Sequence, residues 1–295
     1  MKEATVPAIP QRRFLAESAP VALKPRLEAT WAVFCGALAS GAFAADVAGT
    51  VRLLAGWLLA DVILGFALAS LLATMRVAVE LGPPPEGVCR RMASLPYAQP
   101  GSPGDRLMRS VSRWLEHWHT RLRPGMGHHV ASGATASATA LLVGAYLGRP
   151  ALTATAATIV GAGMLALLCG RHVDALARWH AGIALAMAWY LGHRLFAPVP
   201  PASWGMATLV GLAAFGRVAH AGPRASSARG RRLVGLVWSA LVGAMLVARQ
   251  PIAAGITAVA GLAEAMALGS DTMRRARVGW LAAMLLAALI VAASA

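Results

Sequence analysis

The chain has 295 residues, of which 58% are hydrophobic and only 13% charged, about half the charged fraction that a soluble domain uses to cover its surface. That balance excludes an ordinary water-soluble enzyme and predicts an all-α, polytopic membrane bundle with most of its surface facing lipid. The net charge of +15 does not predict nucleic-acid binding, because the basic residues fall in short clusters between apolar runs, the pattern that sets membrane topology.

Residues 1–27 contain no apolar core and read as a cytoplasmic segment, not a signal peptide. Ala42-Phe43-Ala44 resembles a signal peptidase site, but the long basic leader and the many later spans favour an uncleaved anchor. Residues 28–295 read as a single transmembrane domain. A membrane-crossing helix needs about 20 mostly apolar residues. On that rule about nine are expected, over 28–45, 53–75, 129–147, 151–168, 179–196, 202–219, 233–248, 251–268 and 279–295. Gly148-Arg149-Pro150 makes the turn between the third and fourth, with glycine past one helix end and proline at the next start.

The sizeable loop, 80–128, is expected in the cytoplasm. It opens on Pro83-Pro84-Pro85 and then turns amphipathic between Asp105 and Arg123. Leu107, Val111, Trp114, Trp118 and Leu122 form one stripe, and Arg106, Arg109, Arg113 and Glu116 lie mostly away from it. A basic helix of this kind lies in the membrane interface. Two roles stay open for it, a lid over a cytoplasmic cavity or a connector resting on headgroups.

Orientation follows from the arginines and lysines. With the amino terminus inside, 23 of the 27 fall on inner segments, and the outer turns carry only Arg52, Arg149, Arg194 and Arg249. The expected topology is therefore N-in/C-out. Lys2 and Lys24 are the only lysines, and with the excess of Ala and Gly this composition points to a bacterial inner membrane. Cys35, Cys89 and Cys169 show no CxxC spacing and read as idle thiols. Small residues crowd the spans, as in Ala131–Ala140, and in lipid they let helix backbones approach. Trp31, Trp179, Trp204 and Trp280 sit at helix starts, where indole rings favour the interface.

Ionisable groups inside spans are the candidate functional residues, because each costs about 2.5–3.5 kcal/mol at a helix centre. Asp61 lies about eight residues into its predicted span, roughly 12 Å deep. It is either a proton or cation site or a paired carboxyl tying two helices together. Glu264 lies nearer the cytoplasmic end and reads as the paired kind. His180 and His193, thirteen apart on one span, have a spacing close to that of a stacked haem pair. No matching histidine stands near His193 on another helix, so no haem is expected. His117, His119, His128 and His129 stand too close in sequence to chelate from one helix face. There is no GxxxxGK[ST], HExxH or GxSxG motif.

The start Leu23-Lys24-Pro25-Arg26-Leu27, running into Trp31 and Gly36, and the Arg123-Pro124 entry to the third span resemble the UbiA-type intramembrane prenyltransferases. So does the overall layout. The resemblance implies nine helices with the amino terminus inside. It also implies an active site opening to the cytoplasm under the loops after the second and sixth helices, here 76–128 and 217–232. Family enzymes carry aspartate-rich repeats there, because magnesium takes carboxylate oxygens and must bridge a diphosphate. The corresponding stretches, Leu71–Glu80 and Phe215–Gly222, contain no aspartate. No catalytic residue, metal or cofactor is therefore expected. Arg76, Arg217 and His220 remain as candidates to hold an anionic headgroup.

The expected function is that of a non-catalytic membrane protein binding lipid or isoprenoid, alone or as the membrane subunit of a larger assembly. If the chain is an enzyme, the resemblance implies a divergent prenyltransferase. The alternatives are a small-molecule or proton-coupled transporter using Asp61, and a redox subunit handling quinone or haem.

Overall fold

A computed structural model describes residues 27–82, 102–117, 120, 123–170, 172–220, 224–267 and 273–293. The expected amino-terminal segment, the Pro83–Pro85 run and Cys89 lie outside them. Among the described residues every regular element is helical. We number the helices α1 (Leu27–Ala39), α2 (Val47–Leu81), α3 (Pro103–His117), α4 (Arg123–Leu147), α5 (Arg149–Cys169), α6 (Val173–Arg194), α7 (Pro201–His220), α8 (Arg224–Val247), α9 (Pro251–Ala267) and α10 (Met273–Ala293).

Five of these are long and apolar enough to cross a membrane: α2, α4, α5, α7 and α8 from Ala228. Residues 28–39 of α1, 251–266 of α9 and 278–293 of α10 are apolar but shorter. The span expected over 179–196 falls in α6, which has 22 residues but not the apolar composition. Its position explains this. α6 packs against α1, α2, α5 and α7, and it buries His180, Trp189 and His193 against other helices. A helix surrounded by protein has little need of a lipid-compatible surface.

α2 has 35 residues, several more at each end than the predicted 53–75. Asp46 starts it, its carboxylate accepting the Gly49 N–H at 2.6 Å, a standard N-cap. Gly82, at φ 67°, ends it. Between Leu58 and Ile63 the helix widens into a π-turn, with the Leu64 N–H reaching back to the Leu59 carbonyl. The turn from α4 to α5 is Gly148 alone, at φ 108°, with Pro150 in the first turn of the next helix.

Small residues set the spacing. α1 and α6 cross where Gly36 faces the backbone of Trp189 and Gly192 faces that of Val33, so a Cβ at either glycine would collide with a main-chain carbonyl. Gly182 and Gly211 play the same part between α6 and α7, where a Cβ on Gly211 would stand 2.8 Å from the Gly182 oxygen. From there α7 packs on α8, α8 on α9, α9 on α10 and α10 on α1. Val33, Leu59, Leu185, Trp189, Val210, Val237 and Met284 belong to the continuous apolar core of this arrangement.

Candidate functional site

Arg217 and Glu264 lie near the ends of α7 and α9 and meet inside the bundle. The guanidinium donates from Nε to Oε1 at 2.7 Å and from Nη2 to Oε2 at 3.0 Å. Trp238 of α8 donates its indole N–H to the same Oε2 at 2.8 Å. Glu264 is 2% exposed and the Arg217 side chain 17%. The guanidinium lies over the Trp280 ring, 4.4 Å from its centroid, and Trp280 stacks edge-on against Trp238. Nη1 makes no hydrogen bond and points 3.9 Å from the carboxylate of Glu28 at the start of α1. Five helices thus converge on one charge-assisted fork, a geometry that matches both carboxylate oxygens at once.

Asp61 occupies the π-turn of α2, fourteen residues after Val47 and roughly 21 Å along the helix. Its side chain is buried. Oδ2 accepts the Thr30 hydroxyl of α1 at 3.2 Å and the Trp57 indole N–H at 3.4 Å. π-turns concentrate at functional positions, and here the wider turn coincides with the buried carboxylate. α1 joins the two clusters, since Glu28 faces Arg217 and Thr30 holds Asp61.

The other two candidates are placed differently. Arg76 is exposed on the last part of α2, and His220 is half-buried in the final turn of α7, one turn beyond Arg217. Trp280, expected at the membrane interface, is instead buried beneath Arg217, whereas Trp179 and Trp204 are half-exposed.

His193 belongs to a third arrangement, at the opposite end of the bundle. Trp189 donates to Ser203 at 3.1 Å, Ser203 contacts His193 Nδ1 at 3.1 Å, and His193 Nε2 contacts the Pro198 carbonyl at 3.1 Å. One tautomer satisfies every atom: Nε2–H donates to the carbonyl and Nδ1 accepts the serine hydroxyl. All three side chains are buried. With both ring nitrogens engaged, His193 has none left for an iron atom. Ser203 likewise has no substrate-facing side, so this serine–histidine pair fastens the α6–α7 turn.

Among the described residues no group of three or more His, Cys, Asp or Glu side chains is placed to hold a metal ion. A small cavity between α2, α5 and α6 is lined by Ala60, Leu64, Thr155, Thr158 and Leu191, and the buried Thr155 hydroxyl beside it has no hydrogen-bond partner.

Sequence reasoning finds Asp61 and Glu264 because a charge in an apolar run is conspicuous, and Arg217 as a basic residue at a helix end, expected to hold a headgroup. It misses Glu28, Thr30, Trp238, Trp280 and Ser203, whose roles depend on which helices touch. No family model, no curated protein and no solved structure matches the chain. The site therefore has to be read from its own geometry.

Proposed function

We propose that the chain is a nine-span, N-in/C-out protein of the bacterial inner membrane that holds a prenyl chain or another lipid without metal-dependent chemistry, alone or as the membrane subunit of a larger assembly. The observation that supports this most is that the interior carboxylates already have protein partners. Glu264 binds Arg217 and Trp238, and Asp61 accepts from Thr30 and Trp57. Carboxylates engaged in this way tie helices together and are not arranged to place magnesium beside a diphosphate. At the rim, exposed Arg76 and half-buried His220 would meet an anionic headgroup. On this reading the chain is a UbiA-type protein that has given up its metal sites.

The test is extraction in lipid-bilayer discs followed by native mass spectrometry, alongside an assay with magnesium, labelled prenyl diphosphates and a panel of acceptors. Retained isoprenoid or lipid and no labelled product is the expected outcome. A product above an empty-membrane control, lost on chelation, would restore the enzyme reading.

A second reading, proton-coupled transport, has one observation in its favour: Asp61 is a buried carboxylate in a π-turn. Pairing with Thr30 and Trp57 fits either reading. Loss of a pH-driven uptake in Asp61→Asn with unchanged lipid retention would select transport.

A further inference from the structure

α3 is buried at its carboxyl end, where His117 is 4% exposed. No described helix packs along it, yet Leu107, Val111 and Leu115 expose 65%, 42% and 54% of their surface on one side. These three recur every four residues and so share a face of the helix. Arg106 and Arg109 are also exposed, on the opposite face, where Arg109 pairs with Asp105 one turn earlier. A helix of 15 residues is marginal alone in water, and this one holds its apolar stripe open.

What covers the stripe can be argued from position and charge. His117 ends α3 and Arg123 begins α4, so the five residues between reach about 20 Å at most. α4 is long and apolar enough to cross a membrane, which keeps the carboxyl end of α3 close to a bilayer surface. Residues 102–128 carry five arginines against two carboxylates, a balance suited to phosphatidylglycerol-like headgroups and not to zwitterionic ones. A segment with a basic face and an aliphatic face lies in the plane of the interface, the stripe down and the arginines among phosphates.

We infer that α3 docks on an anionic bilayer surface, with Leu107, Val111 and Leu115 in the acyl boundary and Arg106 and Arg109 at the phosphates. The inference rests on α4 crossing the membrane, and the experiment separates the two failures.

Full-length protein carrying Cys89→Ser and Cys169→Ser, with buried Cys35 left in place, receives an environment-sensitive fluorophore at Val111→Cys or at Arg109→Cys. Each is placed in discs of zwitterionic lipid, discs with anionic lipid, and lipid-free amphipol. Co-elution with lipid reports insertion independently of α3. In anionic discs the label at 111 should be blue-shifted and severalfold less accessible to an aqueous quencher than the label at 109. That protection should weaken in zwitterionic discs, in high salt and in Arg106→Glu/Arg109→Glu. Equal quenching at 111 and 109 in protein that co-elutes with lipid overturns the inference alone. Equal protection in amphipol overturns it too, because a protein surface would then cover the stripe. So does protection that ignores lipid charge and charge reversal. A chain that does not co-elute with lipid overturns this inference and the membrane reading together.

Discussion

Replacing Arg217 by methionine should destabilise the protein far more than replacing Glu264 by glutamine, although the two changes break the same pair. Arg217→Met removes the bonds at 2.7 and 3.0 Å and leaves a carboxylate 2% exposed, with the Trp238 indole still donating to it. Orphaning one member of a buried pair costs about 3–5 kcal/mol. Glu264→Gln keeps a carbonyl oxygen for Trp238. It leaves an arginine that is 17% exposed, 4.4 Å from the Trp280 ring and 3.9 Å from Glu28. Lost charge-assisted bonds with the cation still partly served should cost about 1–2 kcal/mol. In Arg217→Met/Glu264→Gln neither member of the pair carries a charge and Glu28 is 28% exposed, so the double variant should cost little more than Glu264→Gln alone. That amounts to a coupling only slightly smaller than the Arg217→Met loss itself, roughly 3–4 kcal/mol. Reversible unfolding in mixed micelles, followed by helix content for all four proteins, gives the cycle. Additive losses, or a milder loss for Arg217→Met than for Glu264→Gln, would refute the assignment of this pair as a buried cross-link.

Further outcomes follow from the packing. Gly36→Ala and Gly192→Ala put a methyl onto a carbonyl of the facing helix and should each cost about 1–3 kcal/mol in the same assay. Gly161→Ala, with open space around it, should gain about 0.5–1 kcal/mol; similar losses at all three positions would contradict the α1–α6 crossing. Ser203→Ala strips Trp189 of its acceptor and His193 of a donor, at about 1–3 kcal/mol, and should open the α6–α7 turn to proteolysis; an unchanged digestion pattern would argue against the relay.

Much of the helix order was legible in the apolar runs, and the errors in the boundaries have a physical pattern. At the Gly148, Pro201 and Pro251 turns the expected and observed ends agree to within two residues, because a glycine or proline stops the helix where the apolar run stops. At the arginine-rich ends α2, α4, α6, α8 and α10 run at least six residues beyond the apolar boundary, because hydropathy marks where lipid ends and not where hydrogen bonding ends. The turn before α2 is the exception. Phe43 and Ala44 prolong the apolar run there, but the chain leaves α1 at Ala39 and restarts at the Asp46 cap. The candidate site was half legible. Asp61 and Glu264 announce themselves as charges in apolar surroundings and Arg217 as the start of a basic loop, whereas the Arg217–Glu264 pairing, Trp280 beneath Arg217 and Thr30 against Asp61 follow from helix neighbours that no local pattern encodes. The π-turn is likewise invisible in Leu58–Ile63, a stretch that reads as ordinary helix.

The proposed topology is that of a bilayer protein whose arginine-bearing ends face the cytoplasm. It is tested most directly by paired reporters fused after Ala295 in bacterial cells, one that is active only in the periplasm and one that fluoresces only in the cytoplasm. The proposed nine spans would put 23 of the 27 basic residues on the inner side, and an active periplasmic reporter with a dark cytoplasmic one is the expected result. Fluorescence from the cytoplasmic fusion with an inactive periplasmic reporter would contradict it.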